Sequence, residues 1–501
     1  MIRPGLSLAL VALLLTGGMA AALATAPEPG TGMVGTGAAG PRAEASVARA
    51  TAACPDPAVA EGTTTRAAVA GPGPVGPTAE DARGGPGRAG LSTLAGSVLA
   101  QLAAPGSAAV DVPPEAGPLV VRGTAGSAPG LAAWQVTRST EATMRGLAGT
   151  ACVPSGTDFW FVGSGAVVGQ RGRVYLTNTE PVPAVVDLQL YGPDGPIDAP
   201  DGRGVTVAAG QQEIRLLDAL APGVPRFAVH AQVRQGRVSA AVRDQQVDGL
   251  TPLGADWVPA TRPPARTVRV PGVPGGAGER HLQVVAPGDS DAIVRVRLVS
   301  EAGATAPDGL DVIEVAAGTV GDVDLAPFAA GEPVTVELES DVPVTAGVLA
   351  RVTGAEGQLG EIAYAAAAQP LTELTPGVLP EVRQGTTLTN RLLLTAPAGG
   401  VTVDLTPLPP AAGPPTEVRV SGGSQVTVDL ATVSSAASFG MTVSPRSGEL
   451  LAVLQVYETE SRGGFVTSVP VPPGRYAVVV PRVVADLSTG LGVGTGTGTE
   501  P

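Results

Sequence analysis

The residues Arg173–Gly195 decide the fold, and they read RVYLTNTEPVPAVVDLQLYGPDG. They form an apolar run, a polar turn, a run in which apolar and polar residues alternate, and a stop of glycine and proline. Alternation with a period of two is typical of a β-strand with one buried face. We therefore expect Val186, Leu188 and Leu190 to face a core, and the polar residues between them, such as Asp187, to face outward.

The same pattern recurs further along the chain. The run from Arg280 reads RHLQVVAPGDSDAIVRVRLVSEAG, and the run from Asn390 reads NRLLLTAPAGGVTVDLTPLPPAAG. The matching valines Val186, Val294 and Val401 are 108 and 107 residues apart. On the N-terminal side, Leu131 precedes Val238 by 107 residues, which indicates a degenerate fourth copy.

Each copy contains six or seven short strands with turn signals between them, and its length matches an immunoglobulin-like module. The predicted fold is all-β: tandem immunoglobulin-like antiparallel β-sandwich modules, about four copies of a repeat of roughly 107 residues, after an N-terminal signal or anchor helix. The modules are predicted at 54–165, 166–262, 263–375 and 376–488. Proline-rich joints between them predict an extended string of sandwiches. The one further helix that we predict is Leu91–Ala103.

The N-terminus indicates export. Arg3 is followed by an uncharged apolar stretch, residues 5–26, that ends in small residues of the A-x-A type. Residues 1–26 therefore fit a signal peptide, and they also fit an uncleaved membrane anchor, because 22 uncharged residues can span a bilayer. Residues 27–53 are predicted to be a flexible linker and 489–501 a disordered tail. We expect the protein to be extracytoplasmic, either secreted or anchored to the membrane.

The two cysteines, Cys54 and Cys152, are expected to form one disulfide in that oxidising compartment. The chain-entropy model gives a crosslink of this span an upper value of roughly 4–5 kcal/mol of stabilisation. A redox or nucleophilic cysteine is the alternative. It requires a nearby base, and both histidines lie far away in the sequence.

The composition excludes several classes of protein. The chain has 31 basic residues, all arginine, against 45 acidic ones, a net charge of −14, and only 3% aromatic residues. Nucleic-acid binders need phosphate-neutralising charge and stacking rings, so we expect no nucleic-acid partner. Two histidines and two cysteines do not suffice for a Cys/His zinc site, so we expect no metal and no cofactor.

Asp158, Phe159, Trp160 and Phe161 form the densest aromatic cluster and are the candidate ligand contacts. Two interpretations stay open. The cluster can be a core plug between modules beside the disulfide, because burying aromatic rings is the usual use of such residues. It can also stack on a sugar ring, with the aspartate accepting from hydroxyl groups.

Three acidic pairs raise the question of calcium. They are Asp289 with Asp291, Asp322 with Asp324, and Asp198 with Asp201. Extracellular sandwiches bind calcium through such oxygens, but aspartates of this kind are also common in turns and at strand edges.

The block around the second cysteine carries a resemblance to a known family. Gly146–Gly165 reads GLAGTACVPSGTDFWFVGSG, with a Cys-x-Pro sequence followed by Asp-Phe-Trp-Phe. This block, with the strands after it, resembles the uncharacterised family known as domain of unknown function 5719, over residues 50–480. The resemblance implies an exported, membrane-tethered actinobacterial envelope protein with no assigned activity and no catalytic residues. The stretch 67–118, rich in alanine, glycine and proline, departs from the family pattern.

We therefore expect an exported, non-enzymatic scaffold or binding protein of the cell envelope, with an envelope polymer or envelope protein as partner. The sequence contains no G-x-S-x-G, H-E-x-x-H or P-loop motif. Contact with the membrane is expected only through the N-terminal segment. The alternative is an enzyme or accessory factor that acts on an envelope glycan. A solute-binding lipoprotein is disfavoured because strands and helices do not alternate.

Overall fold

The computed structural model describes residues 43–57, 62–74, 85, 87–329 and 331–480. Residues Glu44–Val478 form one compact unit, and the second unit contains only Ala43, Val479 and Val480 of the described residues. The predicted signal or anchor segment, most of the predicted linker and the predicted tail lie outside the described residues.

The described chain is almost entirely β-structure. The first strands are β1 (Ala43–Ser46), β2 (Arg49–Cys54), β3 (Thr63–Gly71), β4 (Ala89–Thr93), β5 (Val98–Leu102), β6 (Gly106–Val112), β7 (Leu119–Thr124), β8 (Ala132–Ser139), β9 (Gly146–Ala151) and β10 (Val153–Pro154). The next are β11 (Asp158–Ser164), β12 (Arg173–Thr177), β13 (Ala184–Gly192), β14 (Gly195–Ile197), β15 (Val205–Val207), β16 (Gln212–Leu216), β17 (Phe227–Gln235), β18 (Ser239–Asp248) and β19 (Thr251–Val258).

The second half of the chain continues in the same way. It contains β20 (Ala265–Val273), β21 (Gly278–Val285), β22 (Ala292–Ser300), β23 (Gly303–Thr305), β24 (Val312–Val315), β25 (Val320–Asp324), β26 (Val334–Val352) and β27 (Glu361–Ala366). The last strands are β28 (Gly377–Arg383), β29 (Leu388–Ala396), β30 (Val401–Pro407), β31 (Thr416–Val420), β32 (Ser424–Asp429), β33 (Ser438–Pro445), β34 (Leu451–Glu458), β35 (Phe465–Pro470) and β36 (Ala477–Val480). Among the described residues, helices are limited to single turns at Ala125–Ser127, Ala142–Met144, Pro200–Gly202, Leu217–Leu220, Ala326–Ala329 and Leu430–Thr432.

Apart from β1 and β36, the described strands form four pairs of antiparallel sheets. In the first pair the strand orders are β10-β2-β7-β4-β5 and β6-β3-β8-β9, and in the second β11-β17-β13-β14 and β16-β12-β18-β19. The fourth pair has β28-β33-β30-β31 and β32-β29-β34-β35. In the third pair the long strand β26 belongs to both sheets: its first half pairs with β20 and β22, and its second half with β21 and β27. The all-β antiparallel fold is therefore confirmed.

Each pair encloses an apolar core, as the alternating pattern requires. Val186, Leu188 and Leu190 of β13 are buried, as predicted, and they pack with residues of both sheets of the second pair. Asp187 differs from the prediction, because it is also buried. The Nε of Arg234, on the neighbouring strand, donates a hydrogen bond to the carboxylate of Asp187, and the backbone N–H of Gly204 donates another. A paired carboxylate on an outward face can lose its contact with water in this way.

The predicted helix Leu91–Ala103 is wrong: the segment forms the hairpin β4–β5. Ala89, Leu91 and Thr93 are buried in alternation, and β4 pairs with β7 on its other side. The turn contains Gly96, whose φ of +104° belongs to a conformation that glycine adopts easily. The partner strand lies some 30 residues further along the chain, so local periodicity did not reveal it.

The proline-rich joints are strands and not spacers. The segment from Arg262 contains β20, and the segment from Leu374 contains β28. Likewise Asp158–Ser164 forms β11, which pairs with β17 and so belongs to the second pair of sheets.

The predicted extended string is also wrong, because the first pair of sheets contacts the fourth. One edge strand from each pair, β9, β19, β27 and β35, contacts two of the other three, so that the contacts close in a ring. We call the meeting of these four strands the central contact. Gly146 and Gly254 make this close approach possible. A Cβ on Gly146 would collide with the backbone of Ala255, and one on Gly254 with Glu361.

Candidate functional site

A cleft of about 450 Å³ opens between the first and fourth pairs of sheets. Its walls come from β3, β6 and β8 on one side and from β28, β29 and β34 on the other. The residues that line it are Thr63, Thr64, Thr65, Arg66, Asp111, Val112, Pro114, Trp134, Val136, Arg138, Leu147, Glu381, Arg383, Leu388, Asn390, Val456 and Glu458. Its volume lies in the range of small-molecule sites.

Strand periodicity places the lining residues on one face. Trp134, Val136 and Arg138 alternate along β8 and point toward the fourth pair, while Ala133 points into the first core. Trp134 and Val136 pack against the core of the fourth pair. With Leu147, Leu388 and Val456 they make the apolar floor of the cleft.

Two ion pairs between the sheet pairs border this floor. The Nε of Arg66 donates to both carboxylate oxygens of Glu381, at 2.9 and 3.0 Å, and its Nη1 donates to Asp111 at 2.9 Å. The Nε of Arg138 donates to Glu458 at 2.8 Å. The carboxylates of Glu381 and Glu458 are nearly buried, with side chains 5% and 11% exposed. Both acids are therefore already neutralised by arginine.

Arg383 is the exception among the charged residues of the cleft. It lies at the end of β28, it is exposed, and within the described part of the chain its guanidinium forms no ion pair. Its backbone carbonyl accepts a hydrogen bond from Asn390 Nδ2 at 2.6 Å, which positions the end of the strand. The Oγ1 of Thr63, also in the lining, is buried without a hydrogen-bond partner in the described structure. Within the described lining, the cleft thus offers a cationic group outside any ion pair and a buried hydroxyl without a partner.

The predicted cluster Asp158–Phe161 lies elsewhere, on β11. Phe159 and Phe161 enter the core of the second pair, and Asp158 stays half-exposed. Trp160 is 4% exposed and packs against Val285 and Val320 of the third pair. The structure thus places this cluster at an interface between sheet pairs.

The ring of Trp160 is covered by two other rings. His230 stacks on it with 4.0 Å between ring centroids, and Tyr191 lies at 5.6 Å. Asp158 Oδ1 contacts His230 Nε2 at 3.2 Å. Burial lowers the pKa of His230, although the neighbouring Asp158 opposes this shift. Since the indole is buried and stacked, this arrangement favours the structural interpretation of the cluster over sugar stacking.

The disulfide Cys54–Cys152 is present and joins β2 to the segment between β9 and β10. It is consistent with an extracytoplasmic protein. Among the described residues no helix is long and apolar enough to cross a membrane.

Four of these aspartates contact protein groups in the described structure. Asp291 accepts from Ala317 N at 2.8 Å and Asp324 from Ala326 N at 2.9 Å, while Asp198 pairs with Arg203 at 2.8 Å. Asp322 contacts His281 at 3.2 Å. That hydrogen bond raises the pKa of His281 above its ordinary value. Nowhere in the described ranges do three or more His, Cys, Asp or Glu residues cluster in a metal-binding arrangement.

The central contact contains buried charges that no sequence pattern indicated. Asp256 of β19 accepts hydrogen bonds from Gly149 N at 3.2 Å and Thr467 Oγ1 at 3.1 Å, which belong to the first and fourth pairs. Arg145 donates to the carbonyls of Gly360 and Gly464 at 2.9 and 3.2 Å. These groups are solvent-inaccessible and join sheet pairs that are distant in sequence.

Burial controls the ionisation of these acids. It raises the pKa of Asp256 well above the ordinary range, against the effect of hydrogen bonds from Trp257, Thr467 and Gly149. It does the same to Glu361, although Arg145 lies 3.9 Å from that carboxyl group. We assign Asp256 and Glu361 a structural role, because both carboxyl groups are buried within the protein.

The sequence did hold one signal for the cleft. In β8, apolar residues occupy both faces, with Ala133 on one and Trp134 and Val136 on the other. Such a strand is buried on both sides, so something must cover its outer face. The identity of the covering strands was not readable, because Glu381 follows Arg66 by 315 residues.

Comparison with known proteins identifies the family and nothing more specific. No curated protein matches the chain. A family model described as a family of unknown function, DUF5719, matches residues 104–419, which is more than half of the 501 residues. The matched region includes the β8 wall of the cleft and Arg383. The chain therefore belongs to this family of unknown function, DUF5719.

Proposed function

We propose that this protein is an exported, non-enzymatic binding protein of the cell envelope, and that its ligand occupies the cleft between the first and fourth pairs of sheets. The observation that carries the proposal is the cleft itself. It combines an apolar floor around Trp134 with a few placed polar groups, which is the usual make-up of a ligand site. Its two buried carboxylates are held by Arg66 and Arg138, so the cleft is suited to binding and offers no free acid–base pair.

The experiment is native mass spectrometry of the exported protein with two matched variants. Leu388→Trp fills the cleft, and Leu374→Trp adds the same side chain at a site that is 63% exposed and outside it. We expect a bound small molecule on the wild type and on Leu374→Trp, and none on Leu388→Trp. An added mass that survives in Leu388→Trp, or a wild type that carries none, would contradict the proposal.

The proposed export has its own test. Intact mass of the protein in the membrane and medium fractions distinguishes a secreted form that ends its leader near Ala24 or Ala26 from a full-length form anchored by residues 5–26. A full-length protein found only in the cytoplasm would contradict export. The disulfide between Cys54 and Cys152 supports the extracytoplasmic assignment.

The glycan-directed alternative receives no support from the predicted cluster. It requires Trp160 to present a ring face beside Asp158, and that ring is buried and stacked against His230 and Tyr191. We therefore do not propose an enzymatic function.

A further inference from the structure

We infer that the ligand of the cleft is an amphipathic acid: an aliphatic chain that lies on the apolar floor and carries one anionic group, a carboxylate or a phosphate, bound by Arg383. This inference rests on the proposed function and names its ligand class. It follows from the charges and the apolar surface of the cleft.

Among the described residues, the ion pairs of the cleft leave the guanidinium of Arg383 without a carboxylate partner. Arg66 is shared by Glu381 and Asp111, and Arg138 is held by Glu458. Arg383 alone of the three arginines has no carboxylate partner among the residues that the structure describes. An exposed guanidinium beside a cleft is a strong donor to a carboxylate or phosphate, since its fork of N–H groups matches two oxygens.

A cationic or purely polar ligand fits the cleft less well. The buried acids Glu381 and Glu458 already accept from arginines, so a ligand cation would have only Asp111, whose side chain is 85% exposed and paired with Arg66. A sugar needs several unpaired donors and acceptors inside the site. The described lining offers few beyond Arg383 and the buried hydroxyl of Thr63.

The floor fits an aliphatic chain. Trp134, Leu147 and Val456 are nearly buried and continuous with the core of the fourth pair, so apolar surface extends inward from the rim. Each methylene that leaves water contributes about a fourfold gain in affinity. Lengthening a bound chain by two methylenes is therefore expected to lower the dissociation constant roughly tenfold.

The experiment is calorimetric titration of the full exported protein, below micellar concentrations, with octanoate, decanoate, decyl phosphate and decyltrimethylammonium. We expect decanoate to bind about tenfold more tightly than octanoate. We expect decyltrimethylammonium to bind at least about tenfold more weakly than decanoate, because it lacks the charge that Arg383 attracts. The ratio of decanoate to decyl phosphate affinity then distinguishes a carboxylate ligand from a phosphate ligand.

Three variants link the binding to Arg383. Arg383→Gln is expected to weaken decanoate binding about tenfold, and Arg383→Glu to make the cationic amphiphile the better ligand. Arg391→Gln is the matched control, because Arg391 is an exposed arginine of the fourth pair outside the cleft. Circular dichroism and cooperative unfolding of each variant show that it is folded.

The outcomes separate the ligand class from the proposed function. The inference is overturned if decanoate does not bind, if the cation binds equally well, or if Arg383→Gln behaves like Arg391→Gln. In those cases the proposed function still stands when Leu388→Trp removes the native ligand and Leu374→Trp does not. If Leu388→Trp leaves the native ligand bound, the proposed function fails with it.

Discussion

The central contact and the cleft both set arginines of the first pair of sheets against glutamates of a later pair, yet they differ in their access to water. Arg145 is 1% exposed and Glu361 2%, and both terminal nitrogens of Arg145 donate to backbone carbonyls. In the cleft, the side chain of Arg138 is 30% exposed, and Arg383 has no partner among the described residues. Arginine–glutamate contacts therefore support the fold where protein fills the space around them. Where a cavity remains, an arginine beside such contacts can bind a ligand.

The energetics of the two regions differ for the same reason. Removing one partner of a buried charged network leaves the others unsatisfied, at a cost of several kcal/mol. A pair that water reaches contributes about 1 kcal/mol or less. Four substitutions test whether this distinction holds.

Arg145→Met is expected to have the largest effect, a loss of about 3–5 kcal/mol in the free energy of unfolding. It removes the donors to the carbonyls of Gly360 and Gly464 inside the central contact. Urea denaturation followed by circular dichroism measures the loss. Arg462→Met, an exposed arginine nearby, is the control and is expected to change the stability by less than about 0.5 kcal/mol. Equal midpoints for the two variants would show that the buried arginine has no special role.

Asp256→Asn is expected to change how stability depends on pH. The pKa of Asp256 is higher in the folded than in the unfolded protein because of burial. The protonated carboxyl group therefore makes its whole contribution to the free energy of unfolding below about pH 4. That contribution is lost as the pH rises toward the folded pKa, by up to about 1.4 kcal/mol per pH unit. Asparagine removes this titration, so the variant should lose less stability than the wild type between acidic and neutral pH.

Denaturation curves at several pH values test this slope. Asp248→Asn, at an exposed position of β18, serves as the control and should retain the slope of the wild type. If Asp256→Asn also retains that slope, this carboxyl is ionised at low pH and the described effect of burial is wrong.

Arg138→Met is expected to cost about 1 kcal/mol, clearly less than Arg145→Met. The pair with Glu458 is partly open to water, and the methionine keeps part of the contact with the apolar floor. The comparison of the two variants in one denaturation series is the decisive measurement. A loss for Arg138→Met as large as that for Arg145→Met would remove the distinction between the regions.

Arg383→Gln is expected to have the smallest effect on stability, below about 0.5 kcal/mol, because the side chain is exposed and unpaired in the described structure. Its thermal unfolding should overlay that of the wild type in the absence of ligand. A marked destabilisation would mean that this arginine supports the fold, and the argument for a free cationic group in the cleft would fail.

Several features were predictable from the residues alone. The burial of Val186, Leu188 and Leu190 follows from period-two alternation, and the disulfide was expected because the chain contains two cysteines and its N-terminus predicts export. The hairpin at Leu91–Ala103 was not predictable in this way. Its apolar spacing suits a helix as well, and the pairing with β7 that decides against a helix is not a local property.

The candidate site shows the same limit more strongly. The sequence drew attention to Asp158–Phe161, where aromatic residues are dense, and the structure places these rings at an interface between sheet pairs. The cleft instead combines residues that look ordinary in sequence. Arg138 and Glu458 are 320 residues apart, and each resembles a surface residue in its own strand.

The sequence by itself therefore determined the antiparallel all-β class, the buried apolar face of β13 and the disulfide, since these depend on local alternation and on a single pair of cysteines. Only the tertiary structure decided that the first and fourth pairs of sheets meet, which arginines are neutralised, and that Arg383 is not. The physical reason is that alternation along a strand shows which face must be buried. Which strands bury that face depends on packing between segments that are distant in the sequence.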